Sequence, residues 1–128
     1  MSIEERALRR VSLRLLAFVS LMFLIDVLDR WIAEARERGL RVTTHAGVWG
    51  ATNDDSIRLM WENGFMTPEV TYVHAATLTE DSYQRIAATG GMASVSTESE
   101  QSAGQGYPPT WQLRKHGIPV SLSMDSSM

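Results

Sequence analysis

Four short runs that are rich in β-branched residues recur along the chain, and a polar, helix-like stretch precedes each of them. The runs cover residues 40–45, 70–74, 92–97 and 118–124. β-branched side chains favour strands. Three of the polar stretches end in glycine directly before the run, whereas the fourth ends at Gly64 and continues through a longer link containing Pro68. Because glycine commonly terminates helices, this repeat of helix, glycine and strand predicts a parallel α/β fold.

The helix-like stretches carry apolar residues at spacings of three and four, which is typical of amphipathic helices. They cover about residues 29–38, 53–62, 79–89 and 110–116, with the predicted apolar positions Trp31, Ile32, Ala35, Ile57, Met60, Trp61, Tyr83, Ile86, Ala87, Trp111 and Leu113. Thr79 and the Asn53-Asp54-Asp55 triplet suit helix starts, and metal binding by the triplet is the alternative. Residues 98–109 predict a long polar loop, a kind of segment that often carries function.

The N-terminal part has a different pattern. Residues 1–14 are charged, and residues 15–25 form an uncharged run of 11 residues. A membrane-spanning helix needs about 20 apolar residues, so the run predicts an N-terminal apolar helix that packs on the protein. A signal or membrane-surface segment is the alternative, because Arg9-Arg10 precede the run, although the residues that follow it make a poor cleavage site. We therefore divide the chain into residues 1–28 and residues 29–128.

Composition narrows the function classes. The chain of 128 residues fits one domain, and its net charge of −3 gives no electrostatic reason to expect nucleic acid as a partner. It contains no cysteine, so disulfides and thiolate metal sites are excluded. Any metal must be held by His, Asp or Glu. A cytoplasmic protein without a stable membrane span is expected.

Candidate chemistry lies at the carboxyl ends of the predicted strands. His45 and His74 end the first two strands, and Asp125 ends the last. In parallel α/β folds, sites collect at these ends. Imidazole and carboxylate suit zinc, iron or manganese, and such a metal activates water for attack near neutral pH. The alternatives are hydrogen-bonded structural histidines and a helix-capping Asp125. Glu98 and Glu100 are either solvated loop residues or substrate contacts, and Trp49 is a further weak substrate-binding candidate.

These segments resemble a known family. Residues 41–47 (RVTTHAG), 70–75 (VTYVHA), 94–100 (SVSTESE) with 106–109 (GYPP), and 117–125 (GIPVSLSMD) resemble the second half of an amidohydrolase-superfamily barrel, closest to its chlorohydrolase and cytosine-deaminase-like branch. The resemblance covers about residues 29–128. It implies a partial TIM-type (β/α) barrel of about four parallel strands preceded by the apolar helix. It also implies metal-assisted hydrolysis of a C–N or related bond in a small molecule, including ring deamination or dechlorination.

The same resemblance implies residue roles. His45 would match a metal ligand, and zinc would be the most suitable metal. His74 would match the histidine that contacts the hydrolytic water or the substrate. Asp125 would match the aspartate that binds the metal and transfers the proton.

The chain also departs from the family pattern. It lacks the first-strand His-x-His pair, and Val48 stands where deaminase-like members place a glutamate. A full barrel needs about 250 residues. These departures predict a truncated member that binds zinc weakly and has no meaningful turnover alone. The alternative from another class is a catalytically inactive fragment or interaction module, as a homo-oligomer or paired with a missing barrel half. A phosphate or nucleotide binder using residues 46–50 is a third possibility, although that loop contains no lysine.

Overall fold

The computed structural model describes residue 27, residues 29–49 and residues 54–124. The chain divides into two compact units, Met1–Glu34 and Ala35–Met128. In the first unit the described residues 29–34 are helical. The predicted apolar helix at residues 15–25 lies outside the described residues, as does Asp125. Within the described ranges, no helix is long and apolar enough to cross a membrane.

The second unit is built on a four-stranded parallel sheet. Its strands are β1 (Val42–Ala46), β2 (Val70–His74), β3 (Met92–Val95) and β4 (Val120–Leu122). They lie in the order β1-β2-β3-β4, and each pairs in parallel with the next. Ala46 lies opposite His74, so the ends of β1 and β2 coincide. The predicted α/β fold with about four parallel strands is confirmed.

Helices connect these strands. Residues 29–37 form α1, which spans the boundary between the two units. The others are α2 (Asp54–Glu62), α3 (Glu80–Thr89), α4 (Thr97–Ser102) and α5 (Thr110–Lys115). The prediction of an unbroken polar loop over residues 98–109 is wrong, because α4 occupies its first part. Glu100 reaches back to the amide of Ser96, the N-cap residue, which stabilises this helix start in the way a capping box does.

Glycine ends each helix that the structure describes. Gly64 at the end of α2 has a φ of 71°, and its N–H donates to the carbonyl of Trp61 while the N–H of Phe65 donates to that of Met60. This pair of bonds is a Schellman motif, which satisfies carbonyls left open at a helix end. The same pair of bonds recurs at Gly39, Gly90, Gly104 and Gly117. The predicted glycine stops are confirmed, and Gly104 adds one that follows the unpredicted α4.

The hydrophobic core lies between one face of the sheet and the helices. Its fully buried members include Ile57, Tyr72, Ile86, Val95 and Leu113. Trp61 and Trp111, two of the apolar positions of the predicted helices, are 45% and 72% exposed. Trp111 lies two residues, or about 200° of helical rotation, from Leu113, so the short α5 cannot bury both. Trp61 lines a surface groove between α2 and α3.

Asp54 joins the starts of two helices. Its carboxylate accepts the backbone N–H of Thr79 at 3.0 and 3.1 Å and the hydroxyl of Ser82 at 2.5 Å. Thr79 is the N-cap residue of α3, and its own side chain makes no capping hydrogen bond. Asp54 therefore begins α2 and caps the neighbouring α3. The triplet is predicted to cap its own helix, α2, whereas these hydrogen bonds of Asp54 go to the start of α3.

Candidate active site

His45 lies on the open face of the sheet. Side chains alternate along β1, so Val42 and Ala46 turn toward the helices while Thr43 and His45 turn away from them and are exposed. The open face forms a cavity of about 470 Å³. It is lined by Arg41, Thr43, His45, Thr71, Val73, Met92, Ser94, Ser121 and Ser123.

His74 ends β2 in a strained turn. Its φ is 72° and that of Ala75 is 54°, both in the left-handed region that side chains other than glycine seldom adopt. The N–H of Ala75 donates to the carbonyl of Val73 at 3.1 Å, which closes a three-residue γ-turn around His74. The positive-φ form of this turn is rare and strained. Strain of this kind persists only where surrounding contacts hold it, and it clusters at functional sites.

Two contacts hold the turn in place. The N–H of Ala75 also donates to the carbonyl of Ala46 at 2.9 Å, which extends the pairing of β1 with β2. The hydroxyl of Tyr83, on α3, donates to the carbonyl of Ala75 at 2.6 Å. Burial raises the pKa of Tyr83 to about 12, with smaller contributions from the negative charges of Asp54 and Glu80. Tyr83 therefore remains a hydrogen-bond donor throughout the physiological pH range.

The turn brings the two predicted histidines together. The ring centroids of His45 and His74 are 5.2 Å apart, and the ring planes are inclined by 46°. His45 is exposed to the open face, whereas His74 is 1% exposed. The site thus combines an accessible imidazole with a buried one at the carboxyl edge of the sheet. Such a pair can bind one small ligand, or can bind and move a proton.

Glu100 is the partner of His74. Its Oε1 lies 3.2 Å from Nδ1 of His74 and accepts the backbone N–H of Ser96 at 2.7 Å. Its Oε2 is buried and has no hydrogen-bond partner among the residues that the structure describes. Glu100 is 0% exposed, so the interpretation of this residue as a solvated loop carboxylate is wrong. The segment folds into α4 and turns the carboxylate inward.

The other predicted site residues lie apart from this pair. Glu98 is exposed on α4, and Asp125 is outside the described residues. Trp49 is 68% exposed, and its indole N–H donates to the carbonyl of Ala103 at 3.2 Å. Trp49 therefore links the loop after β1 to the segment after α4. The substrate-binding roles of Glu98, Glu100 and Trp49 stay predictions.

Two serines at the strand ends were not predicted as site residues. The hydroxyls of Ser96 and Ser123 lie 2.5 Å apart, next to β3 and β4. Ser96 also presents its amide to Glu100. Small polar residues at successive strand ends are the signal that could have identified them.

The described side chains supply only some of the ligands that a catalytic metal ion needs. Neutral imidazoles suit zinc, but catalytic zinc usually takes three protein ligands. Over residues 29–49 and 54–124, no group of three or more His, Cys, Asp or Glu side chains could hold a metal ion. The described residues therefore offer at most two imidazoles of a possible donor set.

The parallel sheet with histidines at its carboxyl edge makes this an α/β protein with a candidate site at the strand ends. Residues 14–128 match the family model described as the amidohydrolase family. This match covers most of the chain, which therefore belongs to the amidohydrolase family.

Individual relatives match over part of their length. A 5-methylthioadenosine/S-adenosylhomocysteine deaminase from Nitratidesulfovibrio vulgaris is 33% identical over 64 residues, which is 50% of this chain and 14% of that protein. A zinc-bound adenosine deaminase from Xanthomonas campestris has a TM-score of 0.70 at 19% identity, covering 80% of this chain and 25% of its own. Zinc-complexed atrazine chlorohydrolase TrzN from Arthrobacter aurescens TC1 has a TM-score of 0.67 at 18% identity, and the match covers 77% of this chain and 23% of that chain. This likeness in fold supports the predicted partial TIM-type (β/α) barrel.

Proposed function

We propose that this chain carries part of the active site of a metal-dependent hydrolase that cleaves a carbon–nitrogen or related bond in a small molecule. The observation that supports it is the juxtaposition of His45 and His74, with ring centroids 5.2 Å apart. This pair lies at the carboxyl edge of a parallel sheet in a member of the amidohydrolase family. Sites in such folds form at that edge.

Each proposed site residue has a distinct role. His45 is accessible from the open face, so it is the metal ligand among the described residues. His74 is buried beside it and contacts the hydrolytic water or the substrate. Asp125, assigned by the family resemblance, is a second ligand and the proton carrier. Zinc is the proposed metal, with iron or manganese as alternatives, and when bound it would polarise the water and the bond to be broken.

The substrate class is proposed from the relatives. They are two deaminases of adenosine-type compounds and a chlorohydrolase of atrazine. A small ring bearing an amino or chloro substituent is therefore the proposed substrate. Val48 occupies the position at which deaminase-like members carry a glutamate, so removal of an amino group would need another proton carrier.

The alternative function is a non-catalytic interaction module derived from the same family. Two features favour it. The described residues provide two imidazoles rather than three metal ligands. Leu122 in the edge strand β4 is also 80% exposed and Met124, two residues after the strand, is 90% exposed, which suits contact with another protein surface. This partner would be a second copy of the chain or a complementary barrel half.

Zinc titration separates the two proposals at their first step. Calorimetry of zinc added to the purified chain should show one weak site that is lost in His45→Ala. It should be retained in His116→Ala, since His116 contacts Glu80 and Tyr83 away from the open face. A screen for ammonia or chloride release from aminated and chlorinated rings then tests turnover. The absence of zinc binding, or zinc binding that is unchanged in His45→Ala, would overturn the metal proposal and favour the interaction module. Turnover by the isolated chain would overturn the prediction that it is inactive alone.

A further inference from the structure

The His74–Glu100 pair is the most deeply buried contact between ionisable side chains that the structure describes. The side chains of His74 and Glu100 are 2% and 0% exposed. Burying a carboxylate costs several kcal/mol unless hydrogen bonds or a counter-charge offset it. The pair also lies directly beside His45. A contact this costly, placed next to the proposed metal ligand, needs a role beyond general stability.

The hydrogen bonds of Glu100 determine which nitrogen of His74 carries a proton. Oε1 of Glu100 already accepts the N–H of Ser96 at 2.7 Å, so this oxygen acts as an acceptor. The same oxygen faces Nδ1 of His74 at 3.2 Å. An ionised carboxylate only accepts hydrogen bonds, so with Glu100 ionised the proton of this contact lies on Nδ1. In the neutral imidazole, Nε2 is then the nitrogen without a proton.

We infer that Glu100 is a positioning residue that holds His74 in its Nδ1–H tautomer and fixes the orientation of its ring beside His45. The γ-turn at His74 sets the backbone, and Glu100 sets the side chain. In this tautomer Nε2 is the basic nitrogen of the ring. A histidine of defined tautomer is what a group that accepts a proton from water or substrate requires. The biological use rests on the proposed hydrolase function, whereas the tautomer itself does not.

The tautomer can be measured without metal, substrate or activity. Long-range ¹H–¹⁵N correlation spectra of the metal-free chain labelled with ¹⁵N-histidine distinguish the two tautomers by the chemical shifts of Nδ1 and Nε2. The spectra are recorded at about pH 8.5. His45→Ala and His116→Ala spectra assign the signals of His74 by elimination. We expect His74 to be almost entirely in the Nδ1–H form.

Three variants test the role of Glu100. Glu100→Leu removes the acceptor while keeping an apolar group in a buried position, and it should convert His74 to a mixture rich in the Nε2–H form. Glu100→Gln keeps an acceptor oxygen and should preserve the Nδ1–H form. Glu98→Leu, on the same helix but exposed, is the matched control and should change nothing. Backbone amide spectra report whether each variant is folded.

Two results would overturn the inference. The first is a wild-type His74 in the Nε2–H form, a result that needs no variant and holds even if Glu100→Leu does not fold. The second is a folded Glu100→Leu that keeps the wild-type tautomer. Failure of zinc binding with the Nδ1–H tautomer intact would instead contradict the proposed function alone.

Discussion

His74 combines three features that are each uncommon: a strained backbone, a buried imidazole and a buried carboxylate partner. The strain of a non-glycine residue at such φ values costs about 1–3 kcal/mol. Contacts from β1, α3 and α4 offset this cost, because Ala46, Tyr83 and Glu100 each bind the turn or the ring. The residue is thus held by three separate elements. A substitution that removes any one of these contacts should make the position of the His74 ring less fixed, although His74 itself is unchanged.

Tyr83 offers the first test of this support. Tyr83→Phe should lower the free energy of unfolding by about 1–2 kcal/mol at pH 7, because the buried carbonyl of Ala75 loses its donor. The folded-state pKa of Tyr83, about 12, is above the unfolded value of about 10. Unfolded Tyr83 therefore loses its proton first, and wild-type stability falls as the pH rises from about 10 to 12.

The matching measurement is urea denaturation at pH 8 and pH 11. The loss of stability between these pH values should be smaller in Tyr83→Phe than in the wild type. Tyr107→Phe is the control, since Tyr107 is 83% exposed. Equal pH dependence in wild type and Tyr83→Phe would contradict the prediction.

Gly106 offers a second test at the level of one residue. Its φ is 136°, and an added Cβ would lie 2.9 Å from Cβ of Ala76 in the segment that follows His74. Gly106→Ala should therefore cost about 2–4 kcal/mol, from backbone strain and overlap together. Gly104→Ala, in the same segment with a φ of 65° and open space around it, should cost about 1 kcal/mol. Thermal and urea unfolding of both variants measure the difference, and equal losses would show that the close contact is unimportant.

At the level of elements, the features that are predicted correctly are those with a signal in neighbouring residues of the sequence. β-branched runs and helix-ending glycines are short-range features, so β1 to β4 and four of the helix ends follow from them. The helix α4 was missed because residues 97–102 are polar and carry no apolar period. Its buried residues are Ser99 and Glu100. The partner of Glu100 is His74, which is 26 residues away in sequence. A contact over that separation has no local signature, so the candidate histidines were predictable, whereas the contact of Glu100 with His74 was not.

Asp54 gives a prediction at the level of two packed helices. Asp54→Ala should lower the free energy of unfolding by about 1–3 kcal/mol, because the amide of Thr79 and the buried hydroxyl of Ser82 both lose their acceptor. Asp55 is the neighbouring control. Its exposed contact with Arg58 is a surface ion pair, so Asp55→Ala should change stability by about 0.5 kcal/mol or less. Urea denaturation measures the free energy of unfolding of the two variants. Similar losses in both would mean that the hydrogen bonds of Asp54 contribute little.

At the level of the molecule, the described helices cover one face of the sheet and leave the other face uncovered. Helices cover the face that includes Tyr72 and Val95, and the opposite face forms the cavity beside His45. Parallel sheets are normally covered on both faces. The edge strand β4 also exposes Val120 and Leu122, by 46% and 80%, and Met124 just after the strand is 90% exposed. These features are the physical basis for the proposed homo-oligomer or complementary half.

The exposed edge therefore makes a prediction about association. Exposed edge strands with apolar side chains tend to pair with other chains, so the purified protein should self-associate as its concentration rises. Leu122→Glu places a charge in the middle of β4 and should shift the protein toward monomer. Leu59→Glu makes the same change on α2, where Leu59 is 45% exposed, and should have little effect. Sedimentation velocity over a range of concentrations measures both. A wild type that is monomeric throughout, or equal effects of the two variants, would show that β4 does not drive association.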